Sequence, residues 1–83
     1  MDVKSWIIDW FQNNANVEKE EILKHLTDSY FDMGYIDSFK FISLIGDIED
    51  EFGVQFDNDQ FEDRSFSKID GLINIIERCR NEK

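Results

Sequence analysis

The stretch whose residue types could do chemistry is Gly34-Tyr35-Ile36-Asp37-Ser38-Phe39, which runs directly into an amphipathic, acidic segment. A serine at the start of a helix presents its hydroxyl beside backbone N–H groups that have no partner within the helix. Those groups and the positive end of the helix dipole suit a phosphodiester attached to that hydroxyl. Asp37 sets a carboxylate next to Ser38, where it could help hold metal or substrate when a modifying enzyme docks. The plain alternative is that Asp37 or Ser38 is simply the residue that caps the helix.

Other chemically suggestive residues fare less well. Asp57-Asn58-Asp59-Gln60-Phe61-Glu62 alternates oxygen ligands as a calcium loop does. It lacks glycine at its sixth position and has Lys68 where the twelfth-position glutamate belongs, so no metal site is expected there. His25 has no cysteine or second histidine with which to bind zinc, and reads as a surface or packing histidine. Cys79 falls at the edge of an apolar stripe and reads as an inert, partly buried thiol. Trp6 and Trp10 lie four apart and read as core. Ser38, His25 and an acid make a triad only on paper, because no nucleophile elbow or oxyanion feature accompanies them.

The elements that must position Ser38 are helical. Apolar residues recur at helical spacing throughout, with no sustained alternation, no proline and no low-complexity linker. A first helix is predicted from Asp2 to Asn13 on the stripe Val3, Trp6, Ile7, Trp10 and Phe11. Asn16 is predicted to cap a second segment, Val17 to Leu26. Thr27 to Asp37 reads as a loop pinned to the core by Tyr30, Phe31, Met33, Tyr35 and Ile36, with Gly34 permitting a turn. The best-defined helix follows, from Ser38 to Phe52, and Gly53 ends it. It buries Phe41, Leu44, Ile45, Ile48 and Phe52, while Phe39, Ser43, Gly46, Asp47 and Asp50 lie on the opposite side. Val54 to Phe56 is an extended connection, and Asn58 to Glu62 a single helical turn. Ser65 or Ser67 is predicted to cap a last helix that reaches Arg80 and buries Ile69, Leu72, Ile73 and Ile76. The fold class is all-α: a small bundle of three main helices plus short helical segments, spanning 1–83 as a single domain.

Composition narrows the function classes. A chain of 83 residues has little material for both a core and an enclosed active site, which favours carrying or binding over self-contained catalysis. The hydrophobic fraction of 41% is too high for disorder. There is no apolar run long enough to span a membrane, and the start of the chain has neither signal-peptide nor transit-peptide character. With one cysteine there is no internal disulfide, so a cytoplasmic monomer is expected. A net charge of −10 repels nucleic acid and anionic membrane and attracts basic partners. From Asp37 to Asp63 nine acids face a single base, Lys40.

Gly34-Tyr35-Ile36-Asp37-Ser38-Phe39 resembles the Gly-x-x-Asp-Ser-Leu/Phe signature of acyl and peptidyl carrier proteins. The helix from Ser38, with its exit Ile48-Glu49-Asp50-Glu51-Phe52-Gly53-Val54, is similar to the second helix of that family, and the resemblance covers nearly the whole chain. It implies a four-helix bundle and no catalytic group. It implies that a phosphopantetheinyl transferase moves a 4′-phosphopantetheine arm from coenzyme A onto Ser38, flanked by Asp37 and Phe39. The arm's thiol then holds an acyl or aminoacyl group as a thioester, received from a loading ligase or transferase and delivered to downstream acyl-using enzymes.

Departures from the family pattern point to a specialised, free-standing carrier in lipid or secondary-metabolite biosynthesis. Phe39 replaces the usual leucine, as in D-alanyl carriers. Lys40 and Ser43 stand where fatty-acid carriers present acids, and Gly46 where an exposed methionine is common. The expected docking face is Phe39, Ser43, Gly46, Asp47 and Asp50. Two rival readings are a housekeeping fatty-acid carrier and, from another class, an acidic helical adaptor in which Ser38 merely caps its helix.

Overall fold

The computed structural model describes residues 2–81. Five α-helices and one 3-10 turn follow in order: α1 (Val3–Asn14), α2 (Lys19–Lys24), α3 (Ser38–Phe52), α4 (Asn58–Glu62), the 3-10 turn Arg64–Ser67, and α5 (Ile69–Asn81). No strand forms among the described residues; Ser29 and Lys68 make one isolated antiparallel bridge. The all-α expectation is met, with three long helices and two short ones.

α1 begins where Asp2 accepts the backbone N–H and the hydroxyl of Ser5 (3.3 and 2.9 Å). It buries Val3, Ile7, Ile8, Trp10 and Phe11. Trp6 is half-buried and Ile8 takes the place that the sequence stripe had given it. α2 is shorter than predicted. Asn16 does not cap it but adopts a left-handed turn at φ 56°, a conformation asparagine tolerates well, and Glu18 precedes the helix without a side-chain cap.

The loop from His25 to Asp37 is bound down along its length. Leu26 O accepts from Asp70 N (3.0 Å), and Tyr30 N donates to Ser67 O (2.9 Å). Tyr30 is fully buried, its hydroxyl donating to Phe66 O, and desolvation pushes its phenol far above the ordinary value. Ile36 is buried, Met33 and Tyr35 are half-buried, and Phe31 stays exposed. Gly34, at φ 75°, supplies the reversal before the chain enters α3.

α3 buries Leu44, Ile45 and Ile48, with Phe41 and Phe52 half-buried beside them, so the predicted inward stripe holds. Gly53 closes the helix in the left-handed conformation, its N–H donating to Glu49 O (2.9 Å). Trp6 meets Phe52 edge-on at 5.4 Å, and the Arg80 guanidinium lies 5.3 Å from the same ring, which joins α1, α3 and α5 at one end.

α5 starts later than a serine cap would place it. Ser67 Oγ donates to Arg64 O (2.9 Å), which closes the 3-10 turn instead of capping α5. Gly71 lies so close to this turn that a Cβ there would collide with the backbone carbonyl of Ser65. The predicted apolar face of Ile69, Leu72, Ile73 and Ile76 is buried, and Ile75 joins it. None of the described helices is long and apolar enough to cross a membrane.

Candidate functional site

The pinned loop delivers Asp37 in extended conformation to the start of α3. The Asp37 carboxylate accepts the backbone N–H of Lys40 (2.9 Å), so Asp37 is the N-cap and Ser38 the first helical residue. This division of labour matters for chemistry. The capping task belongs to Asp37, and the Ser38 hydroxyl, on an exposed residue, makes no hydrogen bond among the described residues. The N–H groups of Ser38 and Phe39 point off the helix end without an acceptor four residues back. Beside them Phe39 is 82% exposed, an unusual state for a large aromatic side chain.

Along α3, the outward face carries Phe39, Ser43, Gly46, Asp47 and Asp50, all exposed as the helical spacing predicted. It also carries Ile42, 69% exposed, which the sequence reading left off this face. At about 100° per residue Ile42 falls about 40° from Gly46 and about 60° from Phe39, at the border between the outward face and the buried stripe. Its apolar character argued for burial and hid it.

Asp47 differs from its neighbours. Its carboxylate accepts the Trp10 indole N–H at 2.8 Å and ties α3 to α1. Charge is uneven along the helix: Lys40 is the sole ionisable residue from Ser38 to Gly46, whereas Asp47, Glu49, Asp50 and Glu51 crowd the far half.

The remaining candidates have structural places. Asp57-Asn58-Asp59-Gln60-Phe61-Glu62 forms α4 and its lead-in, with Asp57 N donating to Gln60 Oε1 (2.7 Å). No group of three His, Cys, Asp or Glu side chains among the described residues is placed to hold a metal ion. His25 is clasped by Asp28 at 2.8 Å and Glu21 at 3.2 Å. Cys79 is half-buried and receives the Gln60 amide N–H at 3.2 Å. Trp10 is buried in the core and Trp6 half-buried against it.

No curated protein and no solved structure matches the chain. The family of the phosphopantetheine attachment site matches residues 5–75, a span that holds the α3 start and most of the bundle. An exposed, unpaired hydroxyl at a helix N-terminus fits the covalent attachment of such an arm. The chain therefore belongs to the phosphopantetheine attachment site family, and is a carrier whose cofactor is covalently bound 4′-phosphopantetheine.

Proposed function

We propose that Ser38 is the attachment point of the arm and that the chain shuttles a thioester-bound acyl or aminoacyl group between enzymes. One observation carries this: Asp37 caps α3 and leaves the Ser38 hydroxyl, next to the helix N-terminus, with no structural task. In the adaptor reading, Ser38 serves as the cap, and that position is already filled.

A phosphopantetheinyl transferase, docked over the start of α3, abstracts the Ser38 proton. The Ser38 oxygen then attacks the pyrophosphate of coenzyme A at the phosphorus next to pantetheine. One P–O bond forms, another breaks, and the adenine nucleotide leaves. The N–H groups of Ser38 and Phe39 and the positive end of the helix dipole would favour the charge of a phosphodiester attached there. Asp37, held as the cap, keeps the first turn formed while Ser38 reacts. When bound, the arm supplies the thiol that carries the cargo. The protein contributes a docking face of Phe39, Ile42, Ser43, Gly46 and Asp50, with Asp47 at its edge. Contacts of this polar and apolar mixture, steered by charge, favour rapid exchange of partners.

The exposed Phe39, Lys40, Ser43 and Gly46 support a dedicated pathway over housekeeping fatty-acid synthesis; in this reading the carrier is a cytoplasmic monomer with its own loading ligase. The test is incubation with coenzyme A and a broad-specificity transferase, followed by intact mass. Wild type should gain one arm and Ser38→Ala none. Failure of wild type to gain mass overturns the proposal. Loading by an adenylating ligase, and not by a malonyl transferase, is the expected sign of the dedicated pathway.

A further inference from the structure

His25 is held in a way that a neutral imidazole cannot satisfy. Its Nδ1 lies 2.8 Å from the Asp28 carboxylate and its Nε2 3.2 Å from that of Glu21. A carboxylate only accepts, and a neutral imidazole has a single N–H. Both contacts are therefore hydrogen bonds only when the ring holds two protons. Among the described residues no other charged group pairs with this ring. Glu21 belongs to α2, which His25 ends, and Asp28 to the loop that follows. On the other side α5 reaches this turn at Asp70, whose N–H donates to Leu26 O (3.0 Å).

The Tyr35 hydroxyl belongs to the same neighbourhood. It is buried and has no hydrogen-bond partner among the described residues. A hydroxyl shut away from water without an acceptor costs free energy. Burial first, and then the charges of Glu21 and Asp28, push this phenol above its ordinary value. The hydroxyl thus sits in the field of two carboxylates that are both engaged by His25. Its own backbone is fixed, because Tyr35 N donates to Tyr30 O (3.0 Å) and the ring packs edge-on to Phe11 at 6.4 Å.

We infer that Glu21 is a proton-operated latch, which accepts from His25 when the ring is doubly protonated and from the Tyr35 hydroxyl when the ring is neutral. Glu21 is the carboxylate released because its contact is the longer of the two, so the remaining ring proton stays on Nδ1 against Asp28. Its release gives the orphaned hydroxyl an acceptor. The Glu21–His25 contact is complete at low pH and is lost as pH rises through the range in which imidazole gives up its proton. The Glu21–Tyr35 contact runs the opposite way. Tyr35 stands two residues before Asp37, the cap of α3, so a rise in pH ties α2 to the chain that delivers Ser38. The latch operates whether or not Ser38 carries an arm.

His25 is the single histidine of the chain, so ring-nitrogen NMR of the whole protein reads it without overlap. Both ring nitrogens should carry protons at about pH 5.5, where carboxylates stay ionised, and Nδ1 alone at about pH 8. Amide hydrogen exchange, corrected for the intrinsic rate at each pH, reads the loop. The N–H groups of Met33, Gly34 and Tyr35 donate to Ser29 O, Phe31 O and Tyr30 O. Their protection should be about fivefold greater at the higher pH, the worth of one added hydrogen bond. Tyr35→Phe keeps the ring, loses the hydroxyl and should hold protection at the lower value throughout. His25→Ala frees Glu21 at every pH and should hold it at the higher value. Unchanged exchange of core amides in α1 and α5 separates these effects from misfolding.

Equal protection of the wild-type loop at both pH values overturns the inference. So does a difference that survives in Tyr35→Phe, which would give it to the His25 clasp alone. A neutral ring protonated on Nε2 would keep Glu21 on His25 and contradict its role as the moving group.

Discussion

α1 and α3 start alike and are used differently. Each has an aspartate as its cap and a serine within its first turn. In α1 the hydroxyl of Ser5 is spent on Asp2, and the helix buries Val3, Ile7, Ile8, Trp10 and Phe11. In α3 Asp37 takes only a backbone N–H, Ser38 stays unpaired, and Phe39 and Ile42 remain outside. The longer helix buries fewer residues than the shorter one. Folding consumes α1, whereas α3 leaves a hydroxyl and two large apolar side chains outside the core.

The same substitution on the two helices should give opposite outcomes. Phe11→Ala removes a fully buried ring and should cost about 3–5 kcal/mol in urea unfolding, a large share of the stability of a domain this small. Phe39→Ala should change stability by less than about 0.5 kcal/mol while slowing arm transfer. Comparable losses in both would erase the distinction.

The acids of α3 divide in the same way. Asp47→Ala breaks the link to the Trp10 indole and should cost about 1–2 kcal/mol, whereas Asp50→Ala, on the exposed face of α3, should be nearly neutral. Charge reversal at Asp47 therefore reports on packing as well as docking, and Asp50 is the cleaner probe of partner recognition.

The caps offer a smaller effect. Ser5→Ala should lose about 0.5–1 kcal/mol with its hydrogen bond, and Ser38→Ala should stay within about 0.5 kcal/mol of wild type. Asp37→Ala should cost about 1 kcal/mol as the first turn of α3 loses its cap.

The smallest effect concerns pH. The Ser5 hydroxyl and N–H hold Asp2 below the ordinary carboxylate value of 3.8, and the Ser65 N–H does the same for Asp63. Both values are lower folded than unfolded, so their stabilisation is complete above 3.8 and is lost as pH falls through the folded values below it. Asp2→Asn and Asp63→Asn should each flatten the acid limb of a stability–pH curve. Asn74→Ala, which touches neither cap, should leave that limb unchanged.

The long helices were legible because one buried stripe per helix gives a strong period, as at Leu44, Ile45 and Ile48. The α3 start was legible too, since Asp37-Ser38 before that stripe admits few other roles. Three features were not. Asn16 and Ser67 are good caps by type, yet Asn16 adopts a left-handed turn and the Ser67 hydroxyl closes the 3-10 turn onto Arg64 O, uses that residue type alone does not distinguish from a cap. Ile42 breaks the rule that apolar residues go inside, and its residue type gives no sign of that exposure. The bond from Trp10 to Asp47 joins residues 37 apart, and no local pattern announces it.

Locating the arm tests the central claim most directly. After modification with coenzyme A and the transferase, proteolysis and peptide mass spectrometry should place one phosphopantetheinyl group on Ser38. Finding it on Ser5, Ser29, Ser43, Ser65 or Ser67 would contradict the account, because the free hydroxyl at the start of α3 would then not be the one the enzyme uses.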